Sequence, residues 1–401
     1  MNQEKLWTRE FISISIVNFF LMLSMYLLLV TMATYAINNY NASSSTAGFV
    51  ASVFILGALT GRLFAGKHME KLGSRKILLG GITFFVAVTL LYFIPTNIYG
   101  LIVIRFLHGI GVGFATTATG TIAAQVIPPR RSGEGIGYFS LSAVLSTAVG
   151  PLIGIALINS FGYLSVFVFT LVMGIVSLLI AIPVKAPKIK NKLSSQNKGF
   201  KLSNYFEAKA IPIATVMLVG AFAYSGILSF IAAYAADINL VKAGGFYFLV
   251  YAIIILISRP FTGKLMDIKG GNSVAYPGLI LFAIGMLLLS QAHSSFAFLL
   301  AAAIIGLGYG NFQSSTQAIA IKVTPTHRMG LANSTYFIFL ELGLGLGPFL
   351  LGYLVPLIGY RGLYLSMVGI ILLAIPLYYI LHGRKDKELY LSSEHEDYSS
   401  R

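Results

Sequence analysis

Glu341 is the one carboxylate that falls well inside a long apolar run of this 401-residue chain. A charge in lipid is costly, and a residue that carries one there is a functional hypothesis by default. That cost suits a group that takes up and releases a proton. It equally suits an acid that binds a cation in a cavity, and one residue can do both. Arg105 lies several residues inside another apolar run, and His108 follows one turn later. Histidine changes charge near neutral pH, so His108 is placed to relay protons, with a merely hydrogen-bonded histidine as the alternative. For Arg105 the alternative is a structural guanidinium bonded to backbone carbonyls. Asp237 stands at the end of a run, as a solvated end or an external gate. The chain has no cysteine, which removes disulfides, thiol catalysis and cysteine metal sites. No metal and no cofactor are expected.

A second set of charges sits between apolar runs and occurs twice. Arg62, Phe64, Gly66, Lys67, Met69 and Gly73 reappear as Arg259, Phe261, Gly263, Lys264, Met266 and Gly270, each 197 positions later (259 − 62). Glu70 becomes Asp267, so the acid is kept, and Lys71 stands beside the first acid. The order Gly61, Gly66, Lys67 imitates a phosphate loop, but His68 stands where a serine or threonine would hold magnesium. No ATPase follows. The stretch reads as a charged hinge.

The elements that carry these residues are membrane spans. Apolar residues make up 57% of the chain and charged ones 10%, against about 25% charged in soluble domains. Twelve apolar runs are expected near 11–36, 46–66, 76–95, 98–126, 135–158, 162–184, 210–236, 244–264, 273–291, 295–321, 331–356 and 362–382, each near the ~20 residues that a bilayer core requires. They lack the period-two alternation of a barrel. Lysine and arginine gather in alternate loops: Lys67, Lys71, Arg75 and Lys76; Arg130 and Arg131; Lys185, Lys188, Lys190, Lys192, Lys198, Lys201 and Lys209; Lys264 and Lys269; Lys322 and Arg328. The positive-inside rule then places both termini in the cytoplasm. The net charge of +15 is topogenic, so no nucleic-acid partner is expected. The 185–209 linker is a solvated connector, with contact to anionic lipid headgroups as an alternative. No cleaved signal peptide is expected.

The offset extends along the chain. Gly109, Gly111 and Gly113 map to Gly306, Gly308 and Gly310; Pro128, Arg131 and Gly133 map to Pro325, Arg328 and Gly330; Gly150-Pro151 maps to Gly347-Pro348. The expected fold is an all-α membrane protein of two six-helix bundles in parallel orientation. Its domains are 1–184, a basic linker 185–209, a second bundle 210–382 and a tail 383–401. Such paired bundles suit alternating access to a midplane site.

These residues resemble the major facilitator superfamily of secondary transporters, over essentially the whole chain. The loop signature reads Gly66-Lys67-His68-Met69-Glu70-Lys71-Leu72-Gly73, with glutamate where the family usually has aspartate. The fourth span carries Leu101, Arg105, His108-Gly109, Gly111 and Gly113, with His108 where glutamine is usual. The fifth carries Gly150-Pro151-Leu152-Ile153-Gly154, similar to the motif of drug–proton antiporters, though Ser146 and Ile155 stand at two of its usual glycine positions.

The resemblance implies roles. Glu70 would face the start of the eleventh span near Gly330, and Asp267 the start of the fifth near Gly135. With Arg62, Gly66, Lys71, Gly73, Arg259 and Gly263 they would form two cytoplasmic latches that part on opening. Arg105 would act near proton transfer. Spans one, four, seven and ten would line the cavity with Asn18, Met22, Tyr26, Thr116, Tyr224, Asn311 and Gln313, a mainly apolar wall suited to amphiphilic ligands. The implied activity is proton-coupled efflux of amphiphilic drugs or toxic metabolites by a monomer in the plasma membrane, in contact with lipid. An importer or uniporter of a sugar or organic acid is the alternative. A channel, or a membrane-embedded enzyme lacking any nucleophile–base set, fits less well.

Overall fold

The computed structural model describes residues 5–42, 44–94, 97–187 and 202–386. Lys188, Lys190, Lys192, Lys198 and Lys201 of the expected linker, and the tail beyond 386, lie outside the described residues. Among the described residues all regular structure is helical, and twelve helices are long and apolar enough to cross a membrane. In chain order they are α1 (Arg9–Tyr40), α2 (Ser44–Leu72), α3 (Ser74–Leu90), α4 (Ile98–Val126), α5 (Ser132–Phe161), α6 (Tyr163–Ala181), α7 (Ile211–Asp237), α8 (Val241–Lys269), α9 (Asn272–Ser290) and α10 (Ser295–Lys322). The last two, α11 (329–358) and α12 (360–381), form one helical stretch broken at Gly359 (φ 66°, ψ 176°).

Three helices begin on a side-chain cap. Thr8 accepts from the Phe11 N–H at 3.2 Å, Asn97 from Gly100 at 2.9 Å and Ser294 from Ala297 at 3.2 Å. Each satisfies one of the free donors at a helix start. The stops obey the repeat. Gly73 (φ 82°) and Gly270 (φ 83°) end α2 and α8, and Gly162 (φ 76°) and Gly359 (φ 66°) separate α5 from α6 and α11 from α12. Within each pair the two glycines are 197 positions apart (270 − 73, 359 − 162), and only glycine adopts such φ values without cost. One expectation changes here. The signature is no hinge: α2 stays helical through Gly66 to Leu72, and the chain turns only at Gly73. Charge near a helix end does not break a helix; the left-handed residue does.

The chain forms two compact units. Unit 1 comprises Met1–Pro128, Phe139–Glu207 and Pro325–Ile338; unit 2 comprises Pro129–Tyr138, Ala208–Thr324 and Phe339–Arg401. The start of α11 thus belongs to the unit built mostly from the first repeat, and the start of α5 to the other. In unit 1, Leu27, Leu28 and Met32 of α1 pack with Val50, Val88, Tyr92, Leu101, Ile104 and Phe167 from α2, the α3 end, α4 and α6. Gly109 and Gly113 of α4 lie directly on the α2 backbone at Phe54 and Ala58, the close approach that small residues permit where lipid offers no hydrophobic drive. In unit 2 the core is aromatic: Tyr224 stacks on Tyr309 with ring centres 4.1 Å apart, and Phe282 lies 5.1 Å from Tyr309. The exposed residues include Phe161, Leu179, Phe296, Leu357 and Leu373, the apolar outer surface of a protein solvated by lipid. Inside α10, Gly306–Gly310 forms one π-helical turn, a local widening often found at functional sites.

Candidate functional site

The better-bonded copy of the signature lies in unit 2. Asp267, near the end of α8, accepts the Gly133 N–H at 2.6 Å and the Glu134 N–H at 2.9 Å, one on each carboxylate oxygen. Two otherwise free donors and the positive end of the α5 dipole meet one negative charge. Gly263 allows the approach: a methyl group there would overlap the Glu134 backbone. Arg131 pairs with Glu134 at 2.8 Å. Arg259, 1% exposed, donates to the Gly310 carbonyl at 2.9 Å, at the π-helical turn.

The first copy, in unit 1, is built differently. Gly66 packs on Ser334 of α11, whose hydroxyl donates to the Arg62 carbonyl at 2.7 Å. Arg62 is fully buried, donates to Thr116 at 2.9 Å and lies 4.8 Å from the Phe337 ring centre. Met69, beside Glu70, packs against Gly330. Glu70 itself accepts no hydrogen bond and makes no ion pair with any described residue. Lys71 is exposed beside it, and Gly73 turns the chain.

Arg105 is fully buried on α4. It donates to the carbonyls of Val50 at 3.2 Å and Ala51 at 3.3 Å, and lies 4.7 Å from the Phe54 ring centre. Among the described residues no carboxylate pairs with it. His108, also fully buried, stacks on Phe85 at 4.4 Å. Its ring nitrogens face the hydroxyls of Thr89 at 3.1 Å and Tyr92 at 3.4 Å. The arginine thus adopts the carbonyl-bonded arrangement, and the histidine is held by hydroxyls and rings.

Glu341 is buried in α11 at 8% exposure and belongs to unit 2. It is the thirteenth residue of α11 (341 counted from 329), whereas Glu10, Glu70, Glu134, Asp237 and Asp267 all lie in the terminal turns of their helices. Gly343 and Gly347 of the same helix rest on α7 at Leu218, Ala221 and Ser225. Gly150 and Gly154, on either side of Pro151, rest on α1 at Tyr26, Leu27 and Thr31.

Of the residues expected along the cavity, the two asparagines are bonded to neighbouring hydroxyls within their own units. Asn18 donates to Ser142 at 2.7 Å and accepts from Thr119 at 2.7 Å. Asn311 donates to Ser258 at 2.9 Å and accepts from Thr262 at 2.8 Å. Asn18, Met22, Thr116, Tyr224 and Asn311 are buried, and Tyr26 and Gln313 are partly exposed. Tyr224 is shared by two stacks, with Tyr309 and with Tyr251 at 5.6 Å.

Two polar clusters escaped sequence reading. Glu207 pairs with Arg328 at 2.6 Å; its only signal is that Glu10 stands 197 positions earlier (207 − 10). Asp386, after α12, accepts the N–H groups of Gly271 at 3.2 Å and Asn272 at 2.9 Å, with His382 at 3.2 Å. Burial works against its charge, but the hydrogen bonds from His382 and these two amides hold its carboxyl below the usual range. No motif marked it.

The comparisons agree with this architecture. The family model of the Major Facilitator Superfamily matches residues 14–277 and 248–397. The uncharacterised MFS-type transporter MJ1560 of Methanocaldococcus jannaschii is 27% identical over 346 residues, covering 83% of this chain and 88% of the relative. The multi-drug resistance efflux pump PmrA of Streptococcus pneumoniae is 27% identical over 329 residues, 78% of this chain and 81% of that protein. The multidrug resistance protein MdtG of Dickeya zeae is 23% identical over 369 residues, 89% and 90% of the two chains. Among solved structures, the human organic anion transporter MFSD10 (TETRAN) superposes with a TM-score of 0.67 at 17% identity, covering 94% of this chain and 100% of that one, which is a likeness of fold. Twelve apolar helices in two glycine-punctuated repeats, with the family model matched across nearly the full length, identify the chain as a multi-pass membrane transporter of the Major Facilitator Superfamily.

Proposed function

We propose that this transporter is a proton-coupled exporter of amphiphilic compounds working by alternating access, with the basic-loop end and both termini in the cytoplasm of a bacterial cell. The observation that carries the coupling is Glu341, among the described residues the one acid buried deep within a membrane helix. A carboxylate there is cheap when neutral and expensive when charged. It therefore favours either a proton or a cationic ligand, and exchange of one for the other couples their movements. Substrate loads from the cytoplasm, the outward-facing site takes up a proton at Glu341, and the empty, protonated carrier returns.

Two further observations support the reading. The buried amides of Asn18 and Asn311 are engaged by neighbouring hydroxyls, so they are not free to hydrogen-bond a sugar. Two of the related proteins are named for multidrug resistance. Arg105, bonded to the carbonyls of α2, has the arrangement of a structural guanidinium and is not assigned to cargo binding. The protein acts as a monomer in lipid.

The test is uptake of a panel of cationic and neutral amphiphiles into inside-out vesicles, with and without an imposed proton gradient. Gradient-dependent accumulation of cations supports the proposal. Uptake that follows only the substrate's own gradient, or that is confined to sugars and organic acids, refutes it.

A further inference from the structure

The two repeats differ at the start of their fifth helix. In the first, Arg131 pairs with Glu134 three residues on. In the second, Arg328 stands at the position of Arg131, but Leu331 replaces Glu134 (both +197). The missing acid is supplied from outside the helix. Glu207, 4% exposed, pairs with Arg328 at 2.6 Å, and its N–H donates to Thr335 of α11 at 2.9 Å. Arg328 in turn donates to the Ser203 carbonyl at 2.8 Å. Three contacts thus fasten residues 203–207 to the start of α11. Between those fastenings Tyr205 reaches the signature of α2: Lys67 donates to its hydroxyl at 2.7 Å, with the ammonium 4.5 Å from the ring centre. All of these residues belong to unit 1. In the first repeat, the residues 197 positions earlier, Thr8 and Glu10, form the start of α1 instead (205 − 8).

We propose that residues 202–207 form a clasp of the cytoplasmic end. Glu207 is its positioning residue and Tyr205 the finger that holds Lys67. The proposal rests on the alternating-access reading in one respect: opening at this end draws α2 of the first repeat away from α11 of the second. The Glu207–Arg328 and Glu207–Thr335 contacts join parts of the second repeat and travel together. The Tyr205–Lys67 contact joins the two repeats and has to break. The segment just before α7 therefore does more than connect: it biases the carrier toward its closed cytoplasmic state. A lysine ammonium against a tyrosine at an exposed site is a modest interaction, which suits a contact broken in every cycle.

The chain has no cysteine of its own, so the full-length protein in native membranes accepts a reporter at Ala332→Cys, which is fully buried beside the clasp. Labelling from the cytoplasmic face by a membrane-impermeant maleimide reads the open state without any transported substrate. Tyr205→Leu and Lys67→Gln should each raise the labelling rate roughly two- to fivefold, and the double variant no further than either alone. Glu207→Gln should raise it as well, and the exchange Glu207→Arg with Arg328→Glu should restore part of the protection while Tyr205→Leu in that background removes it again. Unchanged rates in Tyr205→Leu and Lys67→Gln overturn the clasp. If Glu207 variants fail to fold, Tyr205→Leu and Lys67→Gln still decide, because neither removes a partner of the Glu207–Arg328 pair. Because the reporter needs neither cargo nor protons, these failures leave proton-coupled export standing, and failure of that function leaves the clasp intact.

Discussion

Removing the carboxylate of Asp267 should open the end of the transporter that carries the signature loops, and removing that of Glu70 should not. Asp267 accepts two backbone N–H groups at the start of α5, at 2.6 and 2.9 Å. A hydrogen bond to a charged group contributes about 1.5–3 kcal/mol, and loss of a helix N-cap costs about 0.5–2 kcal/mol. Asp267→Asn keeps one acceptor and loses the charge, so it should weaken the closed state by about 1–2 kcal/mol; Asp267→Ala loses both acceptors and should weaken it by about 2–4 kcal/mol. At ~1.4 kcal/mol per factor of ten, the open fraction rises roughly tenfold for asparagine and more for alanine, if closed molecules predominate at the outset. Glu70 has no such bonds to lose, so Glu70→Gln should change the open fraction less than about twofold. The assay is maleimide labelling of a single buried cysteine at Ala332 in membranes. Equal effects of Asp267→Asn and Glu70→Gln would refute the reasoning, because the two sites would then work by shared charge and not by the cap seen only at Asp267.

The two signature glycines should also differ. A methyl group at Gly263 meets the backbone of Glu134, whereas one at Gly66 meets the side chain of Ser334, which can turn. Gly263→Ala should cost about 1–3 kcal/mol in the closed state and Gly66→Ala less, read by thermal midpoints in detergent. Arg105→Lys keeps the charge but loses the fork that spans two α2 carbonyls; a loss of about 2–4 kcal/mol in unfolding stability is expected, and an unchanged midpoint would show that the fork is dispensable. Asp386 gives a pH signature. Its carboxyl is held below its ordinary value of 3.8 in the fold, so its contribution is complete above that value and fades as pH falls through the lower, folded one. Asp386→Asn should therefore lower the thermal midpoint at pH 7, and the gap to the unmodified protein should shrink below pH 3.8.

Much of the fold was legible because lipid imposes simple rules. Twelve apolar runs without barrel alternation allow only helices. The 197-residue offset read from Arg62 and Arg259 returns in the φ angles of Gly73, Gly270, Gly162 and Gly359, where glycine is the residue the turn demands. Helix ends were less legible: α2 and α8 run on through their charged signatures, since nothing in Lys67 or Lys264 stops a helix outside the bilayer. The candidate site residues were chosen by residue type, and their partners could not be read. Arg105 lies on carbonyls, and every residue has a carbonyl, so no pattern in the sequence could reveal which ones. Asn18 and Asn311 read as cavity polarity because the hydroxyls that engage them, on Ser142, Thr119, Ser258 and Thr262, lie up to 124 positions away. The Glu207–Arg328 pair was hidden for the same reason: one acid left its place in the repeat and another arrived from the segment before α7.

The central claim is that cargo and proton share Glu341. Proton release on substrate addition, followed with a pH-sensitive dye in weakly buffered detergent solution, tests it most directly. The account predicts that a cationic amphiphile which binds the purified protein releases protons, and that Glu341→Gln binds a neutral analogue without releasing any. Binding with no proton released by the unmodified protein, or the same release from Glu341→Gln, would contradict it.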